Sequence, residues 1–261
     1  MRRTLLDSKP MDEVAIDRLR CFEPEALEMH PDGYLVAISG GKDSSVIYHL
    51  TKRSGVKCTF QHNHTTADPP EVVRFVRSMA DVYVSKPEMS MWALIRKKKG
   101  MPTGMRAWCC EKLKERSGSD RIVVTGVRSV ESPKRATRRV MEVCWGVQQG
   151  RRVLNPIVDW PTDAVWEYIR EQKIPYCKLY DEGFTRLGCV CCPKARNFDI
   201  EAARWPRLAD AWKRACFAAW ELSDTQKLRF ATPEEMWGWW KGGCRGAYTD
   251  KPVLFEDNPE L

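Results

Sequence analysis

The chain has 261 residues, 43% of them hydrophobic, with 43 Lys and Arg against 35 Asp and Glu for a formal net charge of +8. That length can bury a sizeable core and fits one α/β domain plus a smaller appendage. The apolar content, with only 16 Gly and 16 Pro, excludes a collagen-like or globally disordered chain. No run approaches the roughly 18 apolar residues of a membrane span, and the opening MRRTLLDSKPMDE lacks the apolar core of a secretion signal. A cytoplasmic setting without membrane partners is therefore expected. The 11 cysteines are then expected to be free thiols, metal ligands or nucleophiles rather than disulfides.

Residues 1–31 read as a polar, partly helical lead-in. Tyr34-Leu35-Val36-Ala37-Ile38 is a short apolar run ending in Ser39-Gly40-Gly41, and an apolar-periodic stretch through Val46, Ile47 and Leu50 follows. This is the pattern of strand, glycine turn and helix. A second strand is expected at Lys57 to His62, then a helix opened by Pro69-Pro70-Glu71 with Val72, Val73, Phe75 and Val76 as its buried stripe. Val82-Tyr83-Val84 and Arg121-Ile122-Val123-Val124-Thr125-Gly126 supply further strands, and a helix starts at Pro161-Thr162-Asp163. Alternation of this kind predicts a parallel sheet covered by helices on both faces. Beyond Phe184 cysteines crowd together, and Trp205, Trp212, Trp220 and Trp237-Gly238-Trp239-Trp240 suggest a small helical subdomain. The expected divisions are 1–31, an α/β nucleotide-binding domain at 32–184, and a cysteine- and tryptophan-rich helical subdomain at 185–261.

Charge is unevenly spread. Between Leu94 and Arg152 there are 16 Lys and Arg against 5 Asp and Glu, a local +11 that leaves −3 for the rest of the chain. Arg96, Lys97, Lys98 and Lys99 are consecutive, and Lys134, Arg135, Arg138 and Arg139 fall within six positions. Scattered cations of this kind usually decorate solvated helix faces, but such groups can also hold the phosphates of a nucleotide or a nucleic acid.

In Ser39-Gly40-Gly41-Lys42-Asp43-Ser44-Ser45 the glycines let backbone approach a ligand, while the following helix aims its unpaired amides and positive dipole end at the loop. It is an anion cradle with spacing unlike a Walker A loop. At these residues the sequence resembles the PP-loop of the adenine nucleotide alpha-hydrolase superfamily, in particular the branch of phosphoadenosine phosphosulfate (PAPS) and adenosine phosphosulfate (APS) reductases. Similar blocks follow at Thr125-Gly126-Val127-Arg128-Ser129-Val130-Glu131-Ser132-Pro133-Lys134-Arg135, at Asn155 to Trp160 and at Ile174 to Phe184. The resemblance implies an adenine nucleotide, ATP or APS/PAPS, with Ser39, Gly40, Gly41, Lys42 and Ser44 around its phosphates. It places Asp43 near Mg2+ if the ligand is ATP. Gly126, Glu131 and Ser132 belong to the second phosphate-side motif, and Arg128 and Arg135 neutralise phosphate or sulfate charge. Thr65, in the segment after the second strand, is expected to border the nucleotide, because ligands of open α/β sheets lie at the carboxyl ends of strands.

Cys109 and Cys110 are adjacent, and far downstream comes Cys189-Val190-Cys191-Cys192-Pro193. Cys189 and Cys192 have the spacing that turns two sulfurs toward one centre. Four thiolates from two segments can hold zinc or an iron-sulfur cluster, and neighbouring cysteines fit one tetrahedral ion poorly, whereas a cubane offers each sulfur its own iron. A 4Fe-4S cluster on Cys109, Cys110, Cys189 and Cys192 is the expectation, with zinc or reduced structural thiols as alternatives and Cys191 as an additional thiol inside the pair. The APS reductase pattern implies the same ligands. Cys244 lies in Lys241-Gly242-Gly243-Cys244-Arg245-Gly246, where nearby cations can favour a thiolate nucleophile. The Glu-Cys-Gly-Leu-His type of motif around the reductase nucleophile is absent, and a plain helix-terminating loop is the other reading of this segment.

Three functions follow. In the first, an ATP pyrophosphatase activates a nucleic acid, DNA or tRNA, for sulfur transfer, as in the related DNA phosphorothioation and tRNA thiolation enzymes, with a cysteine desulfurase as sulfur donor. Asp43 and Arg128 then serve at the reacting phosphate, and tryptophans stack on bases. In the second, an APS/PAPS reductase uses Cys244 and a thioredoxin-like donor to release sulfite. A non-catalytic nucleotide-binding subunit is the third.

Overall fold

Tyr34, Leu35 and Val36 are all buried, as a strand covered on both faces of a sheet requires. In the computed structural model, which describes residues 9–144, 150–194 and 197–244, they lie in β1 (Tyr34–Ala37). The other strands are β2 (Cys58–Asn63), β3 (Val82–Ser85), β4 (Val123–Val124), β5 (Met141–Cys144) and β6 (Arg151–Leu154). They form one sheet in the order β3-β2-β1-β4-β6-β5. Every pairing is parallel except that of β5 with β6, and Val36 stands opposite both Phe60 and Val124. The α-helices are α1 (Met11–Cys21), α2 (Glu23–Met29), α3 (Lys42–Ser54), α4 (Pro70–Arg77), α5 (Met91–Lys98), α6 (Thr162–Glu171), α7 (Phe198–Arg204), α8 (Pro206–Glu221), α9 (Asp224–Arg229) and α10 (Pro233–Lys241).

The chain divides into two compact units. The first holds described residues 9–64, 68–87 and 113–188, and the second holds 65–67, 88–112 and 189–244. This differs from the expected divisions at 31 and 184. The lead-in belongs to the sheet unit, because α1 packs on α3 and the buried Tyr34 hydroxyl donates to Leu19 O at 2.7 Å. The helical unit draws in residues 88–112 because α5 packs on α8, and the Trp240 indole donates to Pro102 O at 2.7 Å.

Within the sheet unit α3 presents Val46, Ile47 and Leu50 inward, each fully buried and each contributing on the order of 2 kcal/mol to folding. In α4 the buried stripe is Val72 and Val76, with Val73 and Phe75 only half-buried. The fourth strand is shorter than its apolar sequence suggests. Arg121, at its start, instead turns its buried guanidinium back to Gly33 O at 2.9 Å, Asp32 O at 2.9 Å and Thr59 Oγ1 at 2.7 Å. Among the described residues no helix is long and apolar enough to cross a membrane.

The β1-to-α3 turn rests on Gly40. Its φ is +78°, and a Cβ there would lie 2.7 Å from Val72 Cγ1. Gly40→Ala is therefore expected to lower stability by about 2 kcal/mol, read from chemical denaturation; an unchanged midpoint would contradict the role given to this turn.

Candidate functional site

The first four amides of a helix have no intrahelical acceptor. At the start of α3 these belong to Gly41, Lys42, Asp43 and Ser44. The Gly41 amide donates to Ser39 Oγ at 3.3 Å and the Lys42 amide donates to the Tyr180 hydroxyl at 2.9 Å. The Asp43 and Ser44 amides have no acceptor among the described residues. The hydroxyls are ordered too, with Ser44 Oγ donating to Gly41 O at 2.8 Å and lying 3.2 Å from Ser39 Oγ. The residues from Ser39 to Ser44 thus form a polar seat at the positive end of a 13-residue helix, above the carboxyl end of the central strand.

Two further segments of the same unit close on this seat. Gly126, just past β4, comes so near α3 that a Cβ would lie 2.9 Å from the Asp43 carbonyl carbon. Arg128 is only 2% exposed, and its Nε donates to Asp43 Oδ1 at 2.6 Å, while Nη1 reaches Trp160 O at 3.1 Å and Thr162 Oγ1 at 3.2 Å. The other Asp43 oxygen is 3.2 Å from Lys42 Nζ. Both Asp43 oxygens are engaged by cations, so the residues present do not fit a magnesium ion held by this carboxylate. Arg128 acts here as a positioning residue that fixes Asp43 at the mouth of α3.

The Arg128 amide also donates to Glu131 Oε2 at 3.0 Å, and Arg135 Nη1 pairs with the same oxygen. Ser132 is extended and its carbonyl accepts from the Arg135 amide at 2.8 Å. The second motif is thereby tied to the first by Arg128, with Glu131 as its internal anchor. Tyr180 had no role from sequence, although it lies in the third block; its burial, which pushes the phenol pKa upward, and its bond to Lys42 make it part of the seat.

In the helical unit, Cys109, Cys110, Cys189 and Cys192 fall together. Hydrogen bonding to Cys110, then burial, then the charges of Cys110, Cys189 and Cys192 drive the Cys109 thiol well above the usual range. Cys109 and Cys110 straddle the point where a helical turn passes into a π-helical one at Cys110–Lys114. The other segment is held by its neighbours, with Val190 N donating to Ala67 O and the Trp212 indole donating to Val190 O, both at 2.8 Å. Cys191 is separate. It is fully buried, has φ +55°, and donates its amide to Glu201, while burial, then Glu201 and Asp199, push its thiol up to about 12. Cys192, not Cys191, acts on Cys109.

Polar groups stand beside two of the sulfurs. Thr65 Oγ1 is 3.3 Å from Cys189 Sγ, which places Thr65 in the cysteine unit, and Lys194 Nζ is 3.8 Å from Cys110 Sγ. Among the described residues no group of three or more His, Cys, Asp or Glu is arranged to hold a single metal ion. A cubane asks for something different, one sulfur on each of four irons spread around a larger body. By donor chemistry alone, four thiols are the set that such a body takes.

Cys244 caps α10. Gly243 has φ +79° and donates to Trp240 O, and Cys244 donates to Trp239 O, each at 3.0 Å, which is a Schellman ending. Cys244 is half-buried, and burial raises its thiol pKa against the lowering effects of Arg229 and the Gly104 amide. Arg245 and Gly246, the remainder of that motif, lie outside the described residues.

Glu131 gives a pH test. Burial raises its pKa, but the Arg128 amide and the Arg135 charge outweigh burial and hold it below the ordinary 4.5. Its stabilisation is in place above that value and is lost as pH falls through the lower, folded-state pKa. Glu131→Gln should flatten this part of the acid-unfolding curve; an unaltered slope of stability against pH would contradict the anchor role.

The phosphoadenosine phosphosulfate reductase domain family model matches residues 33–195. An uncharacterized protein of Methanocaldococcus jannaschii is 30% identical over 195 residues, 69% of this chain and 40% of that protein. An adenosine 5'-phosphosulfate reductase of Allochromatium vinosum is 34% identical over 107 residues, 38% of this chain and 41% of that one. The chain thus spans about two fifths of the length of these relatives. The crystal structure of a PAPS reductase from Candida auris superposes with a TM-score of 0.50 at 20% identity, covering 72% of this chain and 98% of that one, a likeness of fold. With the glycine seat, the Gly126-to-Arg135 motif and the six-stranded sheet all inside the matched span, the chain belongs to the phosphoadenosine phosphosulfate reductase domain family.

Proposed function

We propose that the chain is an adenine-nucleotide-dependent enzyme of sulfur chemistry, in which ATP activates a nucleic acid for sulfur transfer. The observation that carries this reading is the seat at α3, where two amides without acceptors and two more held only by hydroxyls converge at a helix N-terminus. A phosphate chain replaces the Ser39 and Tyr180 hydroxyls on the Gly41 and Lys42 amides and adds those of Asp43 and Ser44. An acceptor oxygen attacks the α-phosphate, the bond to the β-phosphate breaks, and pyrophosphate leaves. The fixed amides and Lys42 stabilise charge growing on the phosphoryl oxygens, and Arg128 keeps the Asp43 carboxylate turned away from them. Hydrosulfide, delivered at the sulfide oxidation level by a sulfur donor, then attacks the activated position, and the bond to the AMP oxygen breaks as the bond to sulfur forms, so that AMP leaves.

Cys109, Cys110, Cys189 and Cys192 would hold a 4Fe-4S cluster, which when bound supplies an iron site for sulfur or electrons. Thr65 and Lys194 would donate to its sulfur ligands and so tune its potential. The reductase alternative is supported by relatives named APS reductase, but it needs a thiol nucleophile, and the absence of the Glu-Cys-Gly-Leu-His type of motif around Cys244 favours the ATP reading.

Anaerobically prepared protein tests both parts. It is expected to carry about four irons per chain, to lose them in Cys192→Ser and keep them in Cys191→Ser, and to release pyrophosphate from ATP. Iron-free protein would remove the cluster, and sulfite release from APS with no pyrophosphate from ATP would replace the ATP reading with the reductase.

A further inference from the structure

The strong positive charge between Leu94 and Arg152 is largely consumed inside the sheet unit. Arg121 and Arg128 are buried on backbone and side-chain acceptors. Arg116 bonds carbonyls, while Arg135, Arg138 and Arg152 pair with Glu131, Glu142 and Glu25. Without a side-chain partner among the described residues are Lys114, Lys134 and Arg139 in the sheet unit and, in the helical unit, Arg96 and Lys97 on α5 with Lys99 just past its end. Cations do favour the last turn of a helix, which accounts for their presence there. It does not account for what stands beside them.

Beside them α5 and α8 bound an open cleft of about 200 Å³, lined by Trp92, Arg96, Ala211, Arg214 and Ala215. Trp92 and Arg96 are one turn apart on α5, so they share a face. The small side chains of Ala211 and Ala215 leave the opposite wall low, and Arg214 adds a second guanidinium that likewise has no partner among the described residues. Trp92 is half-buried, its ring set edge-on to the buried Trp212 at 5.1 Å, so the indole is held in place by the core while part of it faces the cleft. A fixed aromatic surface flanked by two uncompensated, planar cations is the combination that binds a base and its adjoining phosphates. A duplex keeps its bases stacked on one another and offers none to an indole.

We infer that the α5–α8 cleft is a docking site for single-stranded nucleic acid, with one base on Trp92 and neighbouring phosphates on Arg96 and Arg214. This rests on the proposed nucleic acid acceptor and gives that acceptor a place on the chain. Arg96 and Arg214 are exposed, so their replacement leaves the core intact.

The test is binding of labelled ten-nucleotide single strands, RNA and DNA in separate arms, to the full chain over a series of salt concentrations. Arg96→Gln with Arg214→Gln is expected to lower the slope of log affinity against log salt by about 1.4, from about 0.7 per phosphate contact on a single strand. Trp92→Leu is expected to weaken binding at least about fivefold at every salt concentration. Ala211→Leu, which fills the cleft from the far wall without removing a core ring, should weaken it too. Binding of both strands supports the site for either acceptor, and binding of one alone identifies which. Wild-type binding with the variants unchanged would overturn the cleft while leaving the nucleic acid reading standing. Wild-type protein that releases pyrophosphate from ATP but binds neither strand would overturn both. Equal displacement of the strands by polyglutamate would reduce the site to a bare charge patch and overturn the base-stacking assignment.

Discussion

The amides at the start of α3 cannot be satisfied by the helix they begin, and the sheet unit is arranged around that fact. β1 delivers the chain to Gly40, whose left-handed backbone lets it turn tightly against Val72. Gly126 brings the end of β4 against Asp43 with no room for a side chain, and Arg128 crosses beneath to hold the carboxylate. Tyr180 places its hydroxyl on one of the exposed amides. Each of these residues comes from a different part of the chain, and each makes physical sense only because there are orphan donors to be shielded or filled. A seat of this kind is pre-formed, so binding an anion there costs little reorganisation of the backbone.

The helical unit solves a different problem, bringing together cysteines separated by 78 residues. Its tryptophans serve mainly as framework. Trp212 and Trp240 are buried with ring centroids 4.8 Å apart, and their indole N–H groups donate to the carbonyls of Val190, which lies between Cys189 and Cys191, and of Pro102. Glu201 takes the amide of Cys191, the left-handed residue between Val190 and Cys192. The set of four sulfurs is thus a product of tertiary packing, with polar neighbours at Cys189 and Cys110.

Much of this was legible from sequence because local patterns dictated it. The continuous apolar run at Tyr34, the glycine turn and the periodicity through Leu50 fix a strand, a loop and a helix with little help from the rest of the chain. What stayed hidden depended on long-range contacts. β5 and β6 carry no strand signal in the sequence because their residues are mostly half-exposed, on an edge hairpin without a long apolar run. Helix α5 read as a run of cations, since its membership of the helical unit rests on packing against α8. The phosphate role expected for Arg128 rested on its charge and its motif; that the side chain is buried on Asp43, Trp160 and Thr162 is a matter of three-dimensional placement. Likewise, spacing alone could not show that Cys191 takes a left-handed backbone conformation with its amide on Glu201.

The central claim is that the orphan amides of α3 are the phosphate seat. Amide nitrogen and proton chemical shifts, followed by NMR as ATP is added, test it most directly. The account predicts that the Asp43 and Ser44 resonances move first and furthest, with Lys42 following as the Tyr180 hydroxyl gives way. Saturable ATP binding that leaves these three amides unmoved while shifting resonances elsewhere would contradict it.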